Sequence, residues 1–342
     1  MLLPLQFVSP SVHAADANWR EALDQQIDRL DKDTPGSLGV YVKRLDNGES
    51  FSHAADQPWY LSSTAKVVIA IAVLRQVDAG KLKINGQAVL KDTDKVDGSG
   101  QLVWNAPGTS FTLDSLLTRM LGVSDNTAAN LLIRTAGQDA LDQTAADVLG
   151  KGAGKLTNFI DVRRAVYTQL HPDAAKLTNQ QLVEIAAAPQ GPQRVEAVRR
   201  ALNVPASALQ AKTIEDAYAR YYKSGMNTAT LEGYGGMLEQ LVRGKLLSAQ
   251  STERLFKYMK FGRRGDYRLE GGIPKSEMII HKTGTQYRRA CHMAVINPEN
   301  NGAKAIVVAT CAADMDDQRE AGGIFRRVGE AVSKTALAAS KP

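Results

Sequence analysis

The chain has 342 residues, 44% hydrophobic and 23% charged, which is apolar material for one large domain or two interleaved subdomains rather than a string of small modules. Its net charge of +6 comes from basic residues scattered among 36 acidic ones, with no Lys/Arg run interleaved with aromatics. That pattern excludes a nucleic-acid footprint and suits anionic substrates or an anionic cell envelope.

In chain order, MLLPLQFVSPSVHAADANWR carries an apolar stretch followed by small residues suited to signal-peptidase cleavage after Ala14 or Ala15, though it lacks a positive n-region. Residues 1–15 are therefore expected to be a partial secretory signal and the mature protein to be secreted or periplasmic; the alternative is a disordered cytoplasmic N-terminus. No later apolar run reaches the length of a membrane span. A short helix is predicted over roughly 16–32, then two strand signals, SLGVYVKRL and ESFSHAADQPWYL, joined at Asp46-Asn47-Gly48, a strong hairpin turn. From Ser63 to about Gly262 helical periodicity dominates, with Leu113, Leu116, Leu117, Met120 and Leu121 on one stripe. Within it, GKGAGK at 150–155 only superficially resembles a phosphate loop, because Leu156 stands where a Ser or Thr is needed.

Strand signals return at Met278–Ile280, His292–Ile296 and Ala305–Thr310, before a closing helix near Asp317–Ala336. The expected fold is α+β: an antiparallel sheet of about five strands, drawn from both termini (16–62 and 263–342) and packed with helices, bracketing a helical subdomain at 63–262. Cys291 and Cys311 are equally far from a turn near Asn301 and should face each other across a hairpin, either as a disulfide or as two small buried hydrophobes.

Three motifs carry the chemistry. Ser63 precedes Lys66 by three residues, so on a helix the hydroxyl and the amine share a face, and seven apolar residues, Val67 to Val73, follow. Apolar surroundings disfavour an ammonium and would make Lys66 a neutral base, while the Ser63 N–H at the helix start can point at a developing oxyanion. Alone the pattern is weak, since Ser-x-x-Lys arises by chance about once in a chain of this size. Ser124-Asp125-Asn126 follows the Leu113–Leu121 stripe and precedes another helical run, which puts it on a loop between helices. Ser124 can relay a proton to a leaving amine and Asn126 can grip a substrate amide, with Asp125 bracing the loop. Lys282-Thr283-Gly284 follows the strand signal MIIH; the glycine lets a substrate backbone lie along the strand edge, and Lys282 and Thr283 supply donors for a carboxylate.

Together these residues resemble the penicillin-recognising serine hydrolases, the superfamily of class A β-lactamases and penicillin-binding D,D-peptidases. The similarity runs from about Ser37 to Ala336 and includes the 61-residue step from Ser63 to Ser124 and the GGIP stretch leading into HKTGT. The resemblance implies that Ser63 is the acylated nucleophile, Lys66 its base, Ser124 the relay and Lys282 its catalytic neighbour. It places the oxyanion hole at the N–H groups of Ser63 and Thr285. Trp104 falls where class A enzymes keep an aromatic wall, with loop packing as its other reading. Arg288 or Arg289 could bind a β-lactam or D-alanine carboxylate, although strand alternation would send only one of them into the cleft. No cofactor is implied. The expected partner is a β-lactam or a peptidoglycan peptide, with no nucleic acid, and the protein is expected to be a monomer.

The chain departs from class A in one respect. The Glu-x-x-Leu-Asn motif, whose glutamate holds the deacylating water, does not appear, and Ser124 to Lys282 is 158 residues, longer than the class A spacing, with the excess near 155–225. Asp161 in NFIDVRR and Glu215 in TIEDAYARYY are the candidate deacylation acids; the competing reading of each is a surface carboxylate or an ion pair. Acylation with slow release is the expectation, as a β-lactamase or as a D,D-peptidase. A metal hydrolase is excluded because the five histidines show no HExxH or paired spacing, and an α/β-hydrolase because no Gly-x-Ser-x-Gly occurs. The remaining reading is a non-catalytic envelope binder, against which stands a lysine held beside a serine at a cost no binder needs.

Overall fold

A computed structural model of the chain describes residues 19–260 and 267–340, so the leader expected at 1–15 lies outside the described residues. Helix α1 (Trp19–Lys32) buries Trp19, Leu23, Ile27 and Leu30, an apolar face at helical spacing. Strands β1 (Ser37–Arg44) and β2 (Ser50–His53) form the predicted hairpin, turned by Gly48 at φ 79°. The second strand signal does not continue to Leu61. Ala54 takes φ 47°, which ends the ladder, and β3 (Trp59–Tyr60) leaves the sheet to pair with a distant segment.

A 3₁₀ turn over Ser62–Ala65 leads into α2 (Lys66–Asp78), where every residue from Lys66 to Leu74 is buried. Burying its six large aliphatic side chains contributes on the order of 10 kcal/mol, which outweighs the several kcal/mol that one buried amine costs. The ladder of β4 (Gln87–Val89) and β5 (Ser110–Thr112) precedes α3 (Leu113–Gly122), α4 (Asn126–Ala136) and α5 (Gln138–Leu149). Then come α6 (Phe159–Leu170), α7 (Asn179–Ala186), α8 (Pro192–Leu202) and α9 (Ile214–Tyr222), which share their own apolar core, among them Val166, Tyr167, Leu170, Leu182, Val198 and Tyr218. Strand β6 (Thr228–Ala229) is the partner of β3, and α10 (Leu231–Val242) and α11 (Ala249–Lys260) complete the helical layer.

The chain returns as β7 (Ile279–Gln286), β8 (Arg289–Ile296) and β9 (Ile306–Ala313), giving a five-stranded sheet in the order β2-β1-β9-β8-β7 with every neighbouring pair antiparallel. The α+β architecture is therefore as read from the sequence, but the strands run longer than the apolar signals. β7 continues six residues past Ile280 to Gln286 and carries Lys282, Thr283 and Gly284 within the strand, not after it. Side chains alternate between two cores. Leu38, Val40, Val42, Ala294 and Val308 face α1 and the closing helix Arg319–Lys334, whereas Tyr41, Met293, Val295 and Val307 face α2 and α10. Cys291 and Cys311 are register partners across β8 and β9, and their sulfurs are bonded.

Candidate active site

Lys66 is fully buried at the head of α2, and its Nζ lies 3.2 Å from Ser63 Oγ, 3.1 Å from Ser124 Oγ and 2.6 Å from Asn126 Oδ1, with the Ser124 carbonyl also in reach. The Phe159 ring covers the amine, its centroid 4.5 Å from Nζ. Burial pushes the Lys66 pKa well below the usual lysine range, the nearby Lys282 ammonium lowers it further, and Asp125 opposes them more weakly. A neutral amine has two N–H donors and one lone pair. The Ser124 carbonyl and Asn126 Oδ1 can only accept, so they take the donors, and the lone pair is left for a hydroxyl proton.

Ser63 is presented by a forced backbone. Ser62, one residue earlier, takes φ 50°, and its buried Oγ has no hydrogen-bond partner among the described residues. A left-handed serine costs of order 1–3 kcal/mol and persists only where its surroundings over-determine it, here α2 behind and β7 in front. Gly284 permits that approach: a Cβ there would stand 2.6 Å from Leu61 O and 3.0 Å from Ser63 N. The strand residue before Thr285 therefore lies against the Ser63 amide.

Ser124 sits between α3 and α4 at φ 59°. Its Oγ is 3.0 Å from Lys282 Nζ as well as within reach of Lys66. Burial, followed by the Arg268 charge, pushes Lys282 down to about 7. Asp125 caps α4 by accepting from the Ala128 amide and also takes the Gln101 and Leu102 amides, so it holds the loop together. Asn126 is committed to the protein at both ends: Oδ1 receives Lys66, and Nδ2 donates to Asp97 O at 2.8 Å.

A cavity of about 770 Å³ opens over these groups and is lined by Ser63, Ser124, Asn126, Thr283, Thr285 and Trp104, among others. Trp104 is 79% exposed, so it is a wall of the cavity and not core packing. Four predicted residues stand elsewhere. Arg288 and Arg289 do not line the cavity: Arg288 is in the β7–β8 turn at φ 53° and donates to Asp314 O, while Arg289 pairs with the Asp314 carboxylate and covers the Tyr222 ring. Asp161 belongs to the first turn of α6, where it engages Asn158 and Arg164, and Glu215 accepts from the Tyr287 hydroxyl, which holds its carboxyl below the usual range. Neither acid lines the cavity.

Two residues that matter gave no sequence signal. Phe159, two positions before Asp161, is fixed by its own amide, which donates to Asn130 Oδ1 of α4 at 2.8 Å. Arg268, buried and at φ 67°, donates to Thr285 Oγ1 at 2.7 Å and to the carbonyls of Gly284 and Cys291, placing a cation behind the strand end where Arg288 and Arg289 had been expected to supply one. Phe159 is the first residue of α6 and Arg268 lies in a charged loop, and neither belongs to a motif.

Among the described residues, Glu270, His281 and His292 bring potential metal ligands within 4.8 Å of one another. They are already engaged with one another: His292 Nε2 lies 2.9 Å from His281 Nδ1 and 3.4 Å from Glu270 Oε2, while its Nδ1 accepts the Leu269 amide at 3.3 Å.

Comparison with known proteins agrees with this geometry. A family model described as "Beta-lactamase enzyme family" matches residues 22–336. Beta-lactamase Toho-1 of Escherichia coli is 27% identical over 306 residues, 89% of this chain and 85% of that protein. Among solved structures, that of PBP-A superposes with a TM-score of 0.67 at 20% identity, covering 92% of this chain and 96% of the other. An ancestral (GNCA) class A β-lactamase gives 0.67 at 24% identity, covering 91% and 99%. The chain thus belongs to the β-lactamase enzyme family, as a hydrolase of the serine β-lactamase type.

Proposed function

We propose that Ser63 is acylated by β-lactams and that the acyl-enzyme is released slowly. The observation that carries this reading is the surroundings of Lys66: a fully buried amine 3.2 Å from Ser63 Oγ and covered by the Phe159 ring. Lys66 takes the Ser63 proton as Oγ attacks the lactam carbonyl, and the N–H groups of Ser63 and Thr285 receive the developing oxyanion. The C–N bond breaks as Ser124 hands its proton to the departing nitrogen and is re-protonated by Lys66, which carries the proton taken from Ser63 and so returns to the neutral amine. Hydrolysis of the ester needs a placed water and a base, and Asp161 and Glu215 are both engaged elsewhere.

The same features support a second reading, a D,D-peptidase acting on peptidoglycan peptides, for which a long-lived acyl-enzyme is no handicap. The two-part catalytic domain, the residue roles, export to the periplasm and a monomeric state belong to this proposal. Among the described residues no helix is long and apolar enough to cross a membrane.

The test is incubation with a fluorescent penicillin and a chromogenic cephalosporin. A persistent label with little cephalosporin turnover is the expected result, and rapid turnover of both would refute slow release. Ser63→Ala should abolish the label with the melting temperature nearly unchanged; a label that survives moves the nucleophile elsewhere.

A further inference from the structure

The helices α6–α9 touch both walls of the catalytic cleft through side chains hydrogen-bonded end to end. Asn126, which holds Lys66, donates to Asp97 O. The Asp97 carboxylate receives Arg163 of α6 through Nε at 2.9 Å and Nη2 at 2.5 Å. Arg163 Nη1 donates to the Tyr218 hydroxyl of α9 at 2.8 Å, and that hydroxyl donates to Gln286 Oε1 at 3.2 Å. Gln286 ends β7 and directly follows Thr285. The chain has no slack, because a phenol has one proton and Tyr218 gives it to Gln286. The Arg163–Asp97 pair is sheltered, its side chains 11% and 15% exposed, so salt screens it little.

A second clamp reinforces the first. The Tyr222 hydroxyl donates to Tyr287 O at 2.7 Å, and the Tyr287 ring stacks on Tyr218 with centroids 5.0 Å apart. These contacts matter because among the described residues β7 is an edge strand, paired with β8 alone, and sheet hydrogen bonds leave its outer side unconstrained.

We propose that α6–α9 act as a spacer that sets the width of the cleft, and that Tyr218 is a positioning residue holding the Thr285 end of β7 against the loop of Ser124 and Asn126. Only the kinetic readout of this proposal rests on the acylation of Ser63. A misplacement of about 1 Å at an oxyanion donor lowers a rate by about 100-fold, so a loosened strand end would be felt in the chemical step more than in binding.

Tyr218→Phe keeps the ring and its stack and removes only the hydroxyl. Single-turnover labelling against fluorescent-penicillin concentration separates the initial Kd from the acylation rate constant. The rate constant should fall about 10- to 100-fold with Kd little changed, and amide hydrogen exchange at Thr285–Tyr287 should quicken. Tyr218→Phe combined with Gln286→Ala should lose no more than the larger single loss, as expected of two members of one linkage. A folded Tyr218→Phe protein with unchanged rate and unchanged exchange overturns the spacer, and so do additive losses. Wild-type protein that takes no label, with exchange still quickened in Tyr218→Phe, would leave the spacer standing and sink the Ser63 reading.

Discussion

Phe159→Glu puts a carboxylate where the phenyl ring now covers Lys66. At the 4.5 Å that separates ring centroid and amine, two unit charges attract by about 4 kcal/mol at an effective dielectric of about 20. That corresponds to roughly 2.7 pKa units, in the direction opposite to the burial that now favours the neutral amine. The backbone tolerates the change, because the Phe159 amide keeps its bond to Asn130 and position 159 opens α6, where a negative charge favours the helix dipole by about 0.3–1 kcal/mol. In the variant Lys66 should hold its proton and the new carboxylate should become the base. The acid limb of the acylation pH profile then moves down toward the carboxylate range. With a base beside the ester, a fluorescent penicilloyl label should be lost about 100-fold faster or more, the usual span of general-base catalysis. The assay is label decay followed by intact-protein mass, with Phe159→Gln as the uncharged control. A folded Phe159→Glu protein that keeps its label as long as the wild type, or a Gln variant that sheds it equally fast, refutes the assignment of that position.

Gly284→Ala should slow acylation by about 100-fold or more, because its Cβ would meet Leu61 O at 2.6 Å and push β7 from the nucleophile; labelling kinetics on the folded variant check this. Lys282 lies at about 7 in the folded protein and near 10.4 when unfolded, so between those values the unfolded chain binds the extra proton. Its burden on stability is full below pH 7 and relieved as pH rises toward 10. Lys282→Met should therefore raise stability by about 1–4 kcal/mol at pH 6 while abolishing labelling, measured by denaturant melts at pH 6 and pH 9.5. Removing the Cys291–Cys311 bond, which spans a separation of 20 residues, should cost about 3 kcal/mol, read from urea melts of the Cys291→Ala/Cys311→Ala protein with and without reductant.

What could be read from the residues alone was whatever depends on spacing. The hairpin at Asp46–Gly48, the serine three residues before Lys66 and the register of Cys291 with Cys311 all follow from local geometry, since helix and strand periods carry over unchanged into the folded chain. Groups that meet across the fold could not be read in that way. Asp161 lies near the expected distance, yet the residue over Lys66 is Phe159: Asn158 caps α6 through the Asp161 amide, and Asn130 of another helix holds the Phe159 amide. Arg268 supplies the cation behind Thr285, and Arg288 and Arg289 turn outward, because a positive-φ turn and Asp314 hold them there. The residues supplied the reacting atoms, and packing between distant elements determined which side chain each of them faces.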